Sequence, residues 1–164
     1  MSIIATLVIG KDGSSSLNGS SAAVTSAADR ENFLIRRRLV DCIIIGGNTA
    51  RSEPYSKTPA PLVIVSRHLH PQLPAAHVWD CDPLDALSRA RDEFGANIHI
   101  EGGASFISHL LDKNAIDILE LSVTTSSGGA DIFQSAKYLA CADSVDEKNI
   151  DGTIFYTANF RKQK

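Results

Sequence analysis

The sequence predicts an α/β protein: a mixed, mainly parallel sheet flanked by helices, with antiparallel strands toward the C-terminus. Two observations carry this prediction. Apolar runs of strand length alternate with helix-periodic segments as far as Lys113, the order that builds parallel sheets covered on both faces. Beyond Lys113 the chain turns strand-rich with no helical pattern between strands, which suits antiparallel pairs at one edge. The length, 164 residues, suits a single domain over residues 1–164 with one core.

Each element follows from local pattern. Residues 3–9 form an apolar run of strand length, and residues 10–21, rich in Gly, Ser and Asn, read as a long polar loop. Ser26 and Asp29 have capping-box spacing, and Phe33, Leu34 and Val40 follow at helical intervals. Residues 42–45 are a continuous apolar run ending in Gly46-Gly47, the mark of a strand buried on both faces, and residues 62–65 are another. Asp82-Pro83 supplies an N-cap and a first-position proline, Leu84, Leu87, Ala90 and Phe94 form one apolar face, and Gly95 closes the helix. Residues 97–101 alternate, with Ile98 and Ile100 on one face. Gly102-Gly103 then lead into a helix with Phe106, Ile107, Leu110 and Leu111 on one side. Further strands are predicted at residues 116–125, 138–145 and 153–160.

Composition narrows the function. Hydrophobic residues make up 43% and charged residues 21%, which excludes a disordered chain. With 16 Lys+Arg against 19 Asp+Glu the net charge is −3, so no basic excess serves nucleic-acid phosphates. No apolar stretch is long enough for a membrane span, and the N-terminus lacks a basic, then apolar, signal pattern. A cytoplasmic location is expected. Cys42, Cys81 and Cys141 form no C-x-x-C pair, and His68 and His70 have no accompanying ligands, so no metal site is expected.

Two strand–glycine–helix junctions carry the chemistry. At Glu101-Gly102-Gly103-Ala104-Ser105-Phe106 a strand ends in two glycines and a helix begins. Free N–H groups and the positive helix end then face the space beyond the strand, a ready site for a pyrophosphate. A similar junction runs from Gly46 to Pro54 and includes Thr49 and Glu53. Two such junctions can grip both ends of a dinucleotide. Neither is a P-loop or a G-x-G-x-x-G fingerprint. Ser66-Arg67, at the end of a third strand, offers a hydroxyl and a cation to the 2′-phosphate of NADPH.

Taken in order, these pieces resemble the reductase domain of bacterial riboflavin-biosynthesis enzymes, which has the dihydrofolate-reductase-like fold. The matching residues are the Asp12-Gly13 loop, Gly19-Ser20-Ser21, the Arg36-Arg37 helix end, Gly46-Gly47-Asn48-Thr49 through Glu53-Pro54, Glu101-Gly102-Gly103, and the strand from Ile116 to Leu121. The resemblance implies an NADPH-dependent reduction of a ribosylamino-pyrimidine 5′-phosphate. It implies catalytic roles for Glu101 and Asp12. It puts Thr49 and Glu53 beside the nicotinamide, Gly103, Ala104, Ser105 and Phe106 along the phosphates, and Ser66 near the adenosine half, next to Arg67. Ser21 and Arg37 would face the substrate, with Lys57 the nearby cation where the family carries an arginine.

Two other functions stay open on the sequence: reduction of a pterin, as in dihydrofolate reductase, and a non-catalytic nucleotide-binding protein on the same fold. A homodimer is expected, from the resemblance and from the strand carrying Leu119, Leu121 and Val123, which no later helix is predicted to cover.

Overall fold

A computed structural model describes residues 2–160. Eight of its strands form one sheet. In chain order they are β1 (Ser2–Ile9), β3 (Cys42–Gly46), β4 (Leu62–Val65), β5 (His77–Trp79), β6 (Asn97–Gly102), β7 (Ile118–Val123), β9 (Ser144–Ile150) and β10 (Thr153–Asn159). Across the sheet the order is β5-β4-β3-β6-β1-β7-β10-β9. Neighbours from β5 to β7 are parallel, and β7, β10 and β9 pair antiparallel. The predicted fold class is the observed one. Among the described residues no helix is long and apolar enough to cross a membrane.

The sheet has two unlike faces, set by strand alternation. One face is apolar throughout: Ile3, Ala5, Cys42, Ile44, Ile98, Ile100, Leu119 and Leu121 all join one buried cluster. It is covered by α3 (Pro83–Glu93) and α4 (Ala104–Asp112). On α3, Asp82 accepts a hydrogen bond from the Leu84 N–H, and Ala86, Leu87 and Ala90 are the buried residues. Leu84, predicted on the apolar face, is exposed, since the inward stripe runs through Ala86 instead. On α4 the buried set is Ala104, Ile107, Leu110 and Leu111.

On the opposite face a second apolar cluster lies toward β3 and β4, where Ile43, Ile45, Leu62 and Ile64 pack with Tyr55, Leu73 and Ala50 of α2 (Gly47–Ser52). Toward β6, β1 and β7 the same face carries Thr6, His99, Glu101, Glu120 and Ser122. Over it lies α1 (Ala27–Arg36), capped as expected by Ser26 Oγ accepting from the Asp29 N–H, yet with no buried residue. An amphipathic helix normally buries a stripe; this one faces a cavity instead.

Four expectations are corrected. Residues 10–21 are not all loop: β2 (Ser14–Ser16) pairs antiparallel with β8 (Ala130–Ile132). Strand β5 was not foreseen, because its three residues carry no apolar run. Residues 138–145 are not one strand. Tyr138 lies in α5 (Ser135–Cys141), its ring stacked 5.2 Å from Phe133, and the strand begins only at Ser144. Finally, β7 is an interior strand, so Leu119 and Leu121 are buried within this chain and give no reason for a dimer. The edge strand on this side is β9, nearly all exposed and carrying Asp146, Glu147 and Lys148, charges of the kind that discourage further pairing.

Candidate active site

A cavity of about 440 Å³ lies between α1 and the polar half of the sheet, at the carboxyl ends of the central parallel strands. Its walls are the residue 15–22 segment, α1, α2 and the first turns of α4.

Glu101 sits at its base. On β6, Ile100 pairs with Ile44 of β3 but Gly102 with Ile45, so Glu101 is the extra residue of a β-bulge. Bulges re-aim side chains, and this one leaves the Glu101 side chain wholly buried. Arg37 meets it from the 3₁₀ turn that ends α1. Arg37 Nε donates to Oε1 at 2.8 Å and an Nη to Oε2 at 2.6 Å, a bidentate pair. Tyr55 Oη donates to Oε2 at 2.9 Å. The Arg37 guanidinium also lies over the rings of Phe33 and Tyr55, at 4.4 and 5.0 Å. Burial opposes the Arg37 charge, but the hydrogen bonds and attraction to Glu101 prevail and raise its pKa. Burial, then the Glu101 charge, pushes the Tyr55 phenol up, which keeps its proton in place to donate.

Beside Glu101 is His99, 1% exposed. Its Nε2 is 2.9 Å from Thr6 Oγ1, and its Nδ1 lies 3.3 Å from Glu101 Oε1, out of line for an ideal hydrogen bond. Burial pushes the His99 pKa down from 6.5 to about 4; Glu101 opposes the shift, while Arg36 and Arg37 add to it. A depressed folded-state pKa means that stability is held above the unfolded value and lost as pH falls from 6.5 toward about 4. Urea titrations over that range check this: His99→Gln should flatten the acid slope.

The second junction sits against the first. Thr49, in α2, is so close to Gly102 and Gly103 that a side chain at either would meet its hydroxyl, at 3.0 and 3.1 Å. Gly102 also has φ +156°, which favours glycine. Glu53, at the end of α2, accepts from the Ser21 N–H at 2.7 Å and ties the residue 15–22 wall in place. The first turn of α4 starts at Gly103, with Ala104 and Ser105 facing the cavity and their N–H groups without intrahelical acceptors.

The structure thus brings Glu101, Thr49, Glu53, Gly103, Ala104, Ser105, Ser21 and Arg37 to one cavity, with Gly102 directly behind. It does not bring the others there. Asp12 is exposed. It accepts from the Ser14 N–H and hydroxyl and, at 2.6 Å, from the Gly128 N–H; these hydrogen bonds, led by the Ser14 hydroxyl, lower its pKa to about 2. There it joins two loops, outside the cavity walls. Phe106 turns toward the core, against Gly46. Ser66 lies over Gly47 and hydrogen-bonds His70, and Arg67 and Lys57 are exposed outside the cavity. Thr6 and His99 were not foreseen as site residues. The signal available was strand alternation: Ile98 and Ile100 inward on one face put His99 and Glu101 together on the other. Among the described residues no cluster of His, Cys, Asp and Glu is arranged to hold a metal ion.

Fold and cavity define a class: a mixed α/β protein with a concave site at the carboxyl ends of its central parallel strands, one wall formed by a helix N-terminus. Sequence comparison narrows this. The family described as the RibD C-terminal domain matches residues 1–130, and the chain belongs to that family. No curated protein matches it. Among solved structures it is similar to a diaminohydroxyphosphoribosylaminopyrimidine deaminase/5-amino-6-(5-phosphoribosylamino)uracil reductase from Thermotoga maritima. The TM-score is 0.71 at 16% identity, over 97% of this chain and 56% of that one. At that identity the likeness establishes the fold, and this chain spans little more than half the length of that neighbour.

Proposed function

We propose that this chain is an NADPH-dependent reductase of the riboflavin pathway, acting on a ribosylamino-pyrimidine 5′-phosphate of the 5-amino-6-(5-phosphoribosylamino)uracil type. Membership of the RibD C-terminal domain family carries the reading. The cavity agrees with it. The first turn of α4 fits a pyrophosphate, because at Gly103 a Cβ would point into space bounded within 4 Å only by the Thr49 hydroxyl. NADPH, when bound, supplies the hydride. The protein's own work is positioning. Glu101, wholly buried, in turn holds the Arg37 guanidinium at the cavity wall. Arg30 and Arg36 bring positive charge to the α1 wall, Arg36 in an ion pair with Glu120. Of the two acids on α1, Asp29 and Glu31, Asp29 lines the cavity and its Oδ2 accepts from Thr25 Oγ1 at 2.6 Å.

The test is NADPH oxidation with the ribosylamino-pyrimidine phosphate and with dihydrofolate. Turnover of the first alone is expected; turnover of dihydrofolate alone would move the protein to pterin chemistry. Calorimetry should also show NADPH bound more tightly than NADH. Arg67→Ala should cost about 1.5–3 kcal/mol for NADPH and nothing for NADH. Equal losses for both cofactors would remove Arg67 from a role at the 2′-phosphate.

A further inference from the structure

We infer that Thr6 is a specificity-determining residue of the cavity, presenting a hydrogen-bond acceptor and no donor, because buried His99 takes its hydroxyl proton. The inference rests on the reductase reading for the identity of the ligand, but not for the direction of the hydrogen bonds.

That direction follows from Glu101. Its Oε1 accepts from Arg37 Nε, and its Oε2 from Arg37 Nη and Tyr55 Oη. A carboxylate so held has only lone pairs to show to anything else. The His99 Nδ1, 3.3 Å from Oε1, therefore carries the ring proton, since a lone pair there would face a lone pair across a buried, low-dielectric gap. A neutral imidazole with its proton on Nδ1 has an unprotonated Nε2. That nitrogen is 2.9 Å from Thr6 Oγ1, so the threonine hydroxyl is the donor. Its only proton is then spent. What the cavity sees at Thr6, which is 7% exposed and lines the floor, is oxygen lone pairs.

The consequence is a rule for the ligand. The acceptor on the sheet floor is the Thr6 hydroxyl oxygen on β1; the Glu101 carboxylate, on the adjacent strand β6, is wholly buried and is not presented to a ligand. A polar group seated on Thr6 must be a donor: the amino N–H of the pyrimidine or its ribosylamino N–H. A carbonyl oxygen there would meet lone pairs and lose its own hydrogen bond to water, the form of mismatch that buried polar sites reject most strongly. His99 does not touch the ligand; it is a positioning residue that sets the polarity of Thr6.

Two measurements decide this. In the ligand-free protein, nitrogen NMR of the His99 ring should show the proton on Nδ1 throughout the neutral range; a proton on Nε2 would overturn the inference whatever the protein binds. Calorimetry with 5-amino-6-(5-phosphoribosylamino)uracil, or its reduced ribityl product, is the second. Thr6→Val keeps the shape and removes the acceptor, and should weaken binding about tenfold, while Thr6→Ser, which restores the hydroxyl, should bind as wild type does. Thermal unfolding confirms that both variants are folded. Equal affinity for folded Thr6→Val and wild type would remove Thr6 from recognition. Failure of wild type to bind either compound is a different result: it overturns the reductase reading and with it the assigned ligand.

Discussion

Arg37→Met is expected to be the most destabilising single substitution in the cavity, at about 3–5 kcal/mol. The Glu101 side chain is wholly buried and that of Arg37 is 10% exposed, so the variant strands a carboxylate with only Tyr55 and His99 beside it. Against a typical total of about 5–15 kcal/mol for a domain, this removes a large part of the folding free energy. The size comes from the uncompensated charge and not from the worth of the pair itself. Replacing both residues, Arg37→Met with Glu101→Leu, should therefore recover much of the loss, leaving chiefly the unpartnered Tyr55 hydroxyl. Urea denaturation of the single and double variants measures this. If Arg37→Met costs under about 1 kcal/mol, the pair is solvated in solution as a surface bridge would be.

That pair also marks where sequence reading stops. Arg37 and Glu101 are 64 residues apart. The resemblance places each of them at the substrate, but their contact depends on α1 ending over β6, which no local pattern states. The elements themselves were legible wherever burial imposed a pattern. Strand β3 reads as a strand because both its faces are covered, so Cys42 to Ile45 are all apolar. Helix α3 reads from its Asp82-Pro83 start. Strand β5 has three residues and hydrogen-bonds only β4, so little selects its sequence. Helix α5 has seven residues, and the exposed edge strand after it buries almost nothing, so neither leaves a period to read. Helix α1 shows the reverse case. Its cap was plain, but its apolar residues mislead: Leu34 is 45% exposed, because the surface beneath the helix is a cavity and not a core. Asp12 is a candidate through the resemblance alone; in the structure it lies outside the cavity and accepts from the Gly128 N–H, as acidic turn residues do.

Gly103→Val is expected to abolish cofactor binding while leaving the protein folded. Gly103 is the N-cap of α4 with φ −91° and ψ −171°, extended backbone that a β-branched residue adopts readily. Its conformation therefore does not demand glycine, unlike that of Gly102 at φ +156°. Space does not demand it either: an added Cβ meets only the Thr49 hydroxyl, at 3.1 Å, which must give by a few tenths of an ångström. What a valine would fill is the approach to the first-turn N–H groups of α4. A pyrophosphate held there makes two or three charge-assisted hydrogen bonds of about 1.5–3 kcal/mol each, so losing them should lower NADPH affinity by a hundredfold or more. Gly103→Ala, with one carbon in place of three, should fall between. Circular dichroism with calorimetric titration of NADPH separates folding from binding. A folded Gly103→Val that binds NADPH as wild type does would mean that the phosphates lie elsewhere, and that the glycine pair serves only to turn the chain from β6 into α4.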